Sequence, residues 1–229
     1  MHRHRCTACG LTAPAAFFCG ACGALQAGHG RASWLQLLGL PESPAVDLEQ
    51  LEARYYELSR RLHPDRVQTA RPEELQTSVR ASSILNDAYR TLRDPERRGR
   101  WWLEHRGRSL GGTGRALSGT DSALPPVLAA FVFETQEKLA ECRPNSSAAR
   151  TRLRHILDEV QTRRRSELQR LEETLTTWPS EDEGAALDRL RDLLAALSYL
   201  TTLERDVTRA GDDRVHSTPV APGLPANGA

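Results

Sequence analysis

The 229-residue chain is poor in the residues that build sheets: Val and Ile are sparse, and there are only four Phe, four Tyr, four Trp and one Met. Leu, Ala, Arg and Glu are abundant instead, and these are helix formers, so the body should be all-α. No apolar run approaches the ~18–20 residues that span a bilayer as a helix, which argues against a membrane role. Charge of one sign is also missing. The 31 Lys+Arg nearly cancel the 30 Asp+Glu for a net +1, so bulk charge does not point to nucleic acid. The opening run Met1 to Cys6 lacks the apolar stretch of a secretory signal. The expectation is a soluble, cytoplasmic protein of bacterial type. Catalytic patterns are absent too: no nucleophile motif, no phosphate loop and no paired-carboxylate cleft suggests an enzyme, and no site for ATP is visible.

What is present begins with cysteine. Of five cysteines, four fall in two CxxCG units, Cys6-Thr-Ala-Cys9-Gly10 and Cys19-Gly-Ala-Cys22-Gly23. Two such pairs supply four thiolates to a tetrahedral ion, and Zn²⁺ suits that set; iron in a rubredoxin-like site is the alternative occupant. The glycines fit turns that aim backbone N–H groups at the sulfurs, and Phe17-Phe18 can pack beside the metal. A disulfide framework fits poorly without a secretory signal, and redox CxxC motifs usually open a helix within a larger sheet. Cys142, on a later helical stretch, reads as a small, partly buried residue rather than a ligand.

The remainder divides by its punctuation. Trp34 to Leu38 reads as a one-turn helix stopped by Gly39 and Pro41. Asp47 caps a helix whose apolar stripe is Leu48, Leu51, Tyr55, Leu58 and Leu62, and which must stop at His63 because Pro64 follows. Pro72, Glu73 and Glu74 open a third helix, with Leu75, Ala81, Leu85, Ala88 and Leu92 on its apolar face, ending before Asp94-Pro95. A short fourth helix covers Arg97 to Arg106. Residues 107–122 form a linker of Gly, Ser and Thr character. Over 123–210 come three amphipathic stripes: Leu128, Val132, Thr135, Leu139; then Leu153, Leu157, Val160, Leu168, Leu171, Leu175; then Leu187, Leu190, Leu194, Leu197, Leu200, Val207. Such stripes bury against each other as a three-helix bundle. The polar tail 211–229 should be disordered, and residues 1–28 form the tetracysteine module.

Between two long helices stands His63-Pro64-Asp65, preceded by the basic residues Arg54, Arg60 and Arg61. Physically this is a stiff turn presenting an imidazole and a carboxylate beside a face suited to an acidic partner. Together with Trp34 to Leu40, Tyr55 to Arg66 and Leu85 to Arg97, it resembles a J-domain over residues 33–106. The resemblance implies that His63, Pro64 and Asp65 stimulate ATP hydrolysis by an HscA/DnaK-type chaperone of the heat shock protein 70 class, with Arg54, Arg60 and Arg61 as docking charges.

No Gly/Phe-rich segment or β-rich substrate domain follows, so the chain does not resemble the DnaJ type. A J-domain joined to a three-helix bundle, after a Phe17-Phe18-Cys19 to Cys22 zinc extension, resembles the HscB family of iron–sulfur cluster co-chaperones. That resemblance implies a bundle that binds an IscU-type scaffold protein, with Phe133, Glu134, Glu137 and Glu141 on its first helix and Tyr199 on its last as contact residues. The three glutamates share a helix face by their three-and-four spacing. Ala129 and Ala130 depart from the larger apolar residues of the family, which Phe131 and Val132 would offset in a shifted register. Two other roles stay open at this point: a general J-domain adaptor for another client, or a co-chaperone that senses redox state through its zinc thiolates. A homodimer also stays open.

Overall fold

The computed structural model of the protein describes residues 2–26, 32–63, 72–108, 126–141, 147–179 and 182–212. Pro64, Asp65, Cys142, most of the linker and the tail beyond residue 212 lie outside them. In chain order the elements are β1 (Arg3–Arg5), β2 (Thr12–Pro14), α1 (Trp34–Leu38), α2 (Leu48–Leu62), α3 (Pro72–Arg93), α4 (Pro95–His105), α5 (Pro126–Glu141), α6 (Ser147–Thr176) and α7 (Glu183–Asp212). Among the described residues the fold is all-α apart from the short antiparallel ribbon β1–β2, which pairs Arg3 with Pro14 and Arg5 with Thr12, and an isolated bridge between Phe18 and Leu25. Sequence composition does not reveal that ribbon, because its backbone is set by the cysteine turns around it. No helix among the described residues is long and apolar enough to cross a membrane.

The chain forms two compact units, one of residues 1–110 with 170–191 and one of 111–169 with 192–229. In the first, local chemistry sets each helix end. Ser33 accepts the Gln36 N–H at 3.0 Å to start α1. Asp47 accepts the N–H groups of Glu49 and Gln50 to start α2. Asp94 accepts the Arg97 N–H at 2.8 Å to start α4, with Pro95 in the first turn. Tyr55 lies stacked on Tyr89 at 4.1 Å and donates to Asn86, while the Leu62 carbonyl meets Ser78. Those pairings run in opposite directions along the two helices, so α2 and α3 are antiparallel. Between them lie Leu51, Leu62, Ala81, Leu85, Ala88 and Leu92, all buried. Leu48 and Leu75, counted in the apolar stripes, are exposed instead. Each stands in the first turn of its helix, where side chains lean back past the packed length.

Trp102 of α4 is fully buried, edge-on to Trp178 at 6.0 Å, with the Arg106 guanidinium 4.4 Å from its ring. The end of α6 and the start of α7 therefore contribute Leu171, Leu175, Ala186, Leu187 and Leu190 to the first unit. Arg98 is buried and donates to the Leu92 carbonyl at 2.7 Å. Burial pulls its pKa down, and Glu172 and Asp94 oppose that pull.

In the second unit, Leu153, Ile156 and Val160 of α6 pack with Leu203 and Val207 of α7. Leu128 of α5 packs with Ala196 and Leu200. Phe131 and Val132 lean into both clusters. The buried row of α6 passes through Ile156 and Glu167 rather than Leu157 and Leu168, which are half-buried. Buried Glu167 is paired with Arg163 at 3.2 Å.

Truncating Trp102 empties the centre of the first unit. Trp102→Ala should lower stability by about 3–5 kcal/mol, measured by urea unfolding followed by far-UV circular dichroism; a loss below about 1 kcal/mol would contradict the packing described.

Candidate functional sites

The four cysteines converge from two turns, Cys6 and Cys9 between β1 and β2, and Cys19 and Cys22 between the bridged residues Phe18 and Leu25. In each knuckle the backbone folds back on itself: Gly10 N–H donates to the Cys6 carbonyl and Gly23 N–H to that of Cys19, each at 2.9 Å. Both glycines are left-handed, with φ of 75° and 73°, a conformation that side chains resist. The Cys6 and Cys22 sulfurs lie 3.7 Å apart and those of Cys9 and Cys19 3.8 Å apart. All four lie within 4.8 Å of one another. Four ligands at a Zn–S distance of about 2.3 Å form a tetrahedron with edges of about 3.8 Å, so the donor set fits one tetrahedral ion. The same spacing is far beyond the ~2.05 Å of a disulfide, and all four are free thiols.

Surrounding donors support the sulfurs unevenly. Cys9 N–H and the buried Gln26 amide each approach Cys6 Sγ at 3.4 Å. The Cys9 N–H, outweighing burial, lowers the Cys6 thiol to about 6. Cys19 is lowered as well, by the Cys22 and Ala21 N–H groups. At Cys22 the Ala24 N–H pulls down, but burial and the three neighbouring sulfurs push the thiol up to about 12. Crowded thiols that cannot all ionise together are what a bound cation relieves.

The knuckles are tied to the helical hairpin at two places. Gln36 of α1 accepts from His2 N–H at 2.8 Å and donates to the carbonyls of His2 and Ala15 at 2.6 and 3.2 Å. Arg61 of α2 lies with its guanidinium 4.0 Å from the centre of the Phe18 ring. Phe17 is buried.

Helix α2 ends as the residue order requires, with His63 extended at φ −60° and ψ 130° before the proline. The carbonyl of Leu62 accepts from Ser78 Oγ at 2.6 Å and from Ser82 Oγ at 3.3 Å. Neither serine was singled out by the sequence reasoning. A signal existed: Ser78 continues the buried series Ala81, Leu85, Ala88, Leu92 at three-and-four spacing, a polar residue in a core row. The basic face is less bare than its sequence suggests. Arg54 pairs with Glu57 at 2.9 Å, and Arg61 approaches the other oxygen of Glu57 at 3.7 Å. Arg60 and His63 are exposed.

On α5 the aromatic and acidic residues separate from the core. Phe133 is 63% exposed, and Glu134, Glu137 and Glu141 are exposed beside it. Glu134 is not a free charge, since Lys138 reaches it at 3.0 Å and reaches Glu159 of α6 at 3.3 Å. Those two carboxylates hold the Lys138 ammonium above its usual pKa. Ala129 and Ala130 are exposed, while Phe131 and Val132 pack inward, so no register shift brings the latter pair to the surface. Tyr199 is half-buried on α7, next to the core residue Leu200, and burial raises its phenol pKa.

The sulfur tetrahedron predicts one cation per chain. Replacing Cys6 and Cys19 together by serine should remove it, read as metal per protein by elemental analysis; full retention would show that the four sulfurs do not form the site.

Residues 33–101 match the DnaJ domain family. The co-chaperone protein HscB homolog of Aeromonas hydrophila is 31% identical over 173 residues, covering 76% of this chain and 95% of the relative. The iron-sulfur cluster co-chaperone protein HscB of Mus musculus is 27% identical over 191 residues, covering 83% and 74%. The crystal structure of human co-chaperone protein HscB aligns with a TM-score of 0.65 at 27% identity, over 90% of this chain and 98% of its own. With its DnaJ domain, its helical architecture and its cysteine cluster, the chain belongs to the HscB family of co-chaperones.

Proposed function

We propose that this protein is a co-chaperone of iron–sulfur cluster assembly that brings an IscU-type scaffold to an HscA/DnaK-type ATPase. The observation that carries the reading is the outward face of α5. A phenylalanine 63% exposed among acidic side chains contributes nothing to the core and has the character of a partner-binding anchor. Phe133, Glu137 and Glu141 form the centre of that surface, with Tyr199 as a contact from α7. Glu134 contributes through its pair with Lys138. At the other end of the chain's work, His63, Pro64 and Asp65 trigger ATP hydrolysis in the chaperone, and Arg54, Arg60 and Arg61 steer it into place. ATP belongs to the partner, and this chain is an adaptor rather than an enzyme. Holding two partners on one chain raises the effective concentration of each for the other.

The ion at Cys6, Cys9, Cys19 and Cys22 is proposed to be Zn²⁺ in a structural role, since four thiolates and a closed tetrahedron leave no open position for substrate. The proposed place of action is the cytoplasm.

Two measurements test the reading. His63→Gln should abolish stimulation of the chaperone ATPase while leaving the circular dichroism spectrum unchanged; an unchanged ATPase rate would remove the J-domain role. In calorimetric titration against an IscU-type scaffold, Phe133→Ala combined with Glu137→Ala should weaken binding about tenfold or more. Stimulation of the ATPase by the same double variant should persist in the absence of scaffold. Undiminished scaffold affinity would favour an adaptor for a different client or a different binding face.

A further inference from the structure

We infer that the tetracysteine module is part of the chaperone-docking face of the J-domain, with Phe18 as the residue that positions Arg61. The inference rests on the J-domain role proposed above. Arg61 is the penultimate residue of α2, two positions before His63. Its guanidinium lies 4.0 Å from the Phe18 ring centre and approaches Glu57 at 3.7 Å, yet 43% of the side chain remains exposed. An arginine held over a ring face by cation–π attraction still has N–H groups to offer a carboxylate. A side chain already held in that pose loses less rotamer freedom when a partner arrives.

Phe18 is well placed to act as the platform. It forms an antiparallel bridge with Leu25, follows the buried Phe17 and immediately precedes Cys19 of the sulfur cluster. The Gln36 hydrogen bonds to His2 and Ala15 tie the module to α1 as well. With ties to both α1 and α2, the ring has a defined position relative to the docking helix. The partner that fits this face is the same acidic surface of a DnaK-type ATPase that Arg54 and Arg60 address.

The test titrates the full-length, metal-loaded chain against an HscA/DnaK-type ATPase and separates the half-saturating concentration from the maximal rate. Phe18→Leu keeps apolar volume and removes the ring face. It should raise the half-saturating concentration roughly two- to fivefold, leaving the maximal rate and the metal content at wild-type values. Phe18→Tyr should restore the wild-type value. In an Arg61→Ala background, Phe18→Leu should add nothing. The inference is overturned by an unchanged or lowered half-saturating concentration in Phe18→Leu, by an equal further loss in the Arg61→Ala background, or by loss of metal, which would make Phe18 a packing residue of the knuckle. If the wild-type chain and His63→Gln are alike in failing to stimulate, the J-domain role itself falls. A stimulating wild type with an insensitive Phe18→Leu sinks only the positioning role.

Discussion

A single backbone carbonyl organises the J-domain. Helix α2 must stop at Leu62 because of the proline two residues on, and stopping leaves the last carbonyls without helical partners. A buried carbonyl without a donor costs on the order of 1–3 kcal/mol. Ser78 and Ser82, one turn apart on α3, both supply hydroxyls to Leu62. That arrangement does more than satisfy an acceptor. It fixes the sliding register of the two helices, which leucine and alanine side chains alone would leave loosely specified. Tyr55 stacked on Tyr89 then sets the same register two turns away. His63 leaves the hairpin from a defined point because of both.

The cysteine cluster makes a second fixed point by different chemistry. Its glycine turns close on the Cys6 and Cys19 carbonyls, the Cys9 N–H meets the Cys6 sulfur, and the short ribbon flanks the first of those turns. Through Phe18 and Gln36 it grips α2 and α1, so a metal-binding segment and a helical hairpin share one surface. Glu57 tempers that surface by pairing with Arg54 and Arg61. The charge on α2 is thus patterned and directional rather than a plain positive patch.

Helix boundaries were legible in the sequence because their causes are local. Asp47 and the prolines act within one turn, and α2 and α3 begin and end where they direct. The caps Ser33 and Asp94 are equally local but emerge only in the structure, where α4 starts at Pro95, two residues before the expected Arg97. The cysteine tetrahedron was equally legible, since spacing alone brings two knuckles together. Contacts between side chains far apart in the chain were not. Nothing in the order of residues links Phe18 to Arg61 or Gln36 to His2, because either contact depends on where a whole module settles. The stripe of α5 was ambiguous for another reason: Val127 to Phe133 is apolar all round, so periodicity cannot say that Phe131 packs inward while Phe133 faces out. On α6, Glu167 takes a core position that an apolar count assigns to Leu168.

The tryptophans are confined to one of the two units, and the tyrosines nearly so. All four tryptophans, Trp34, Trp101, Trp102 and Trp178, belong to the unit that contains the J-domain, where Trp34 and Trp101 stack at 5.4 Å. The other unit has no tryptophan, and its single tyrosine is Tyr199. The molecule therefore carries its own pair of optical labels. Indole emission reports the J-domain unit alone, and the phenol of the bundle stands at the surface proposed for the scaffold.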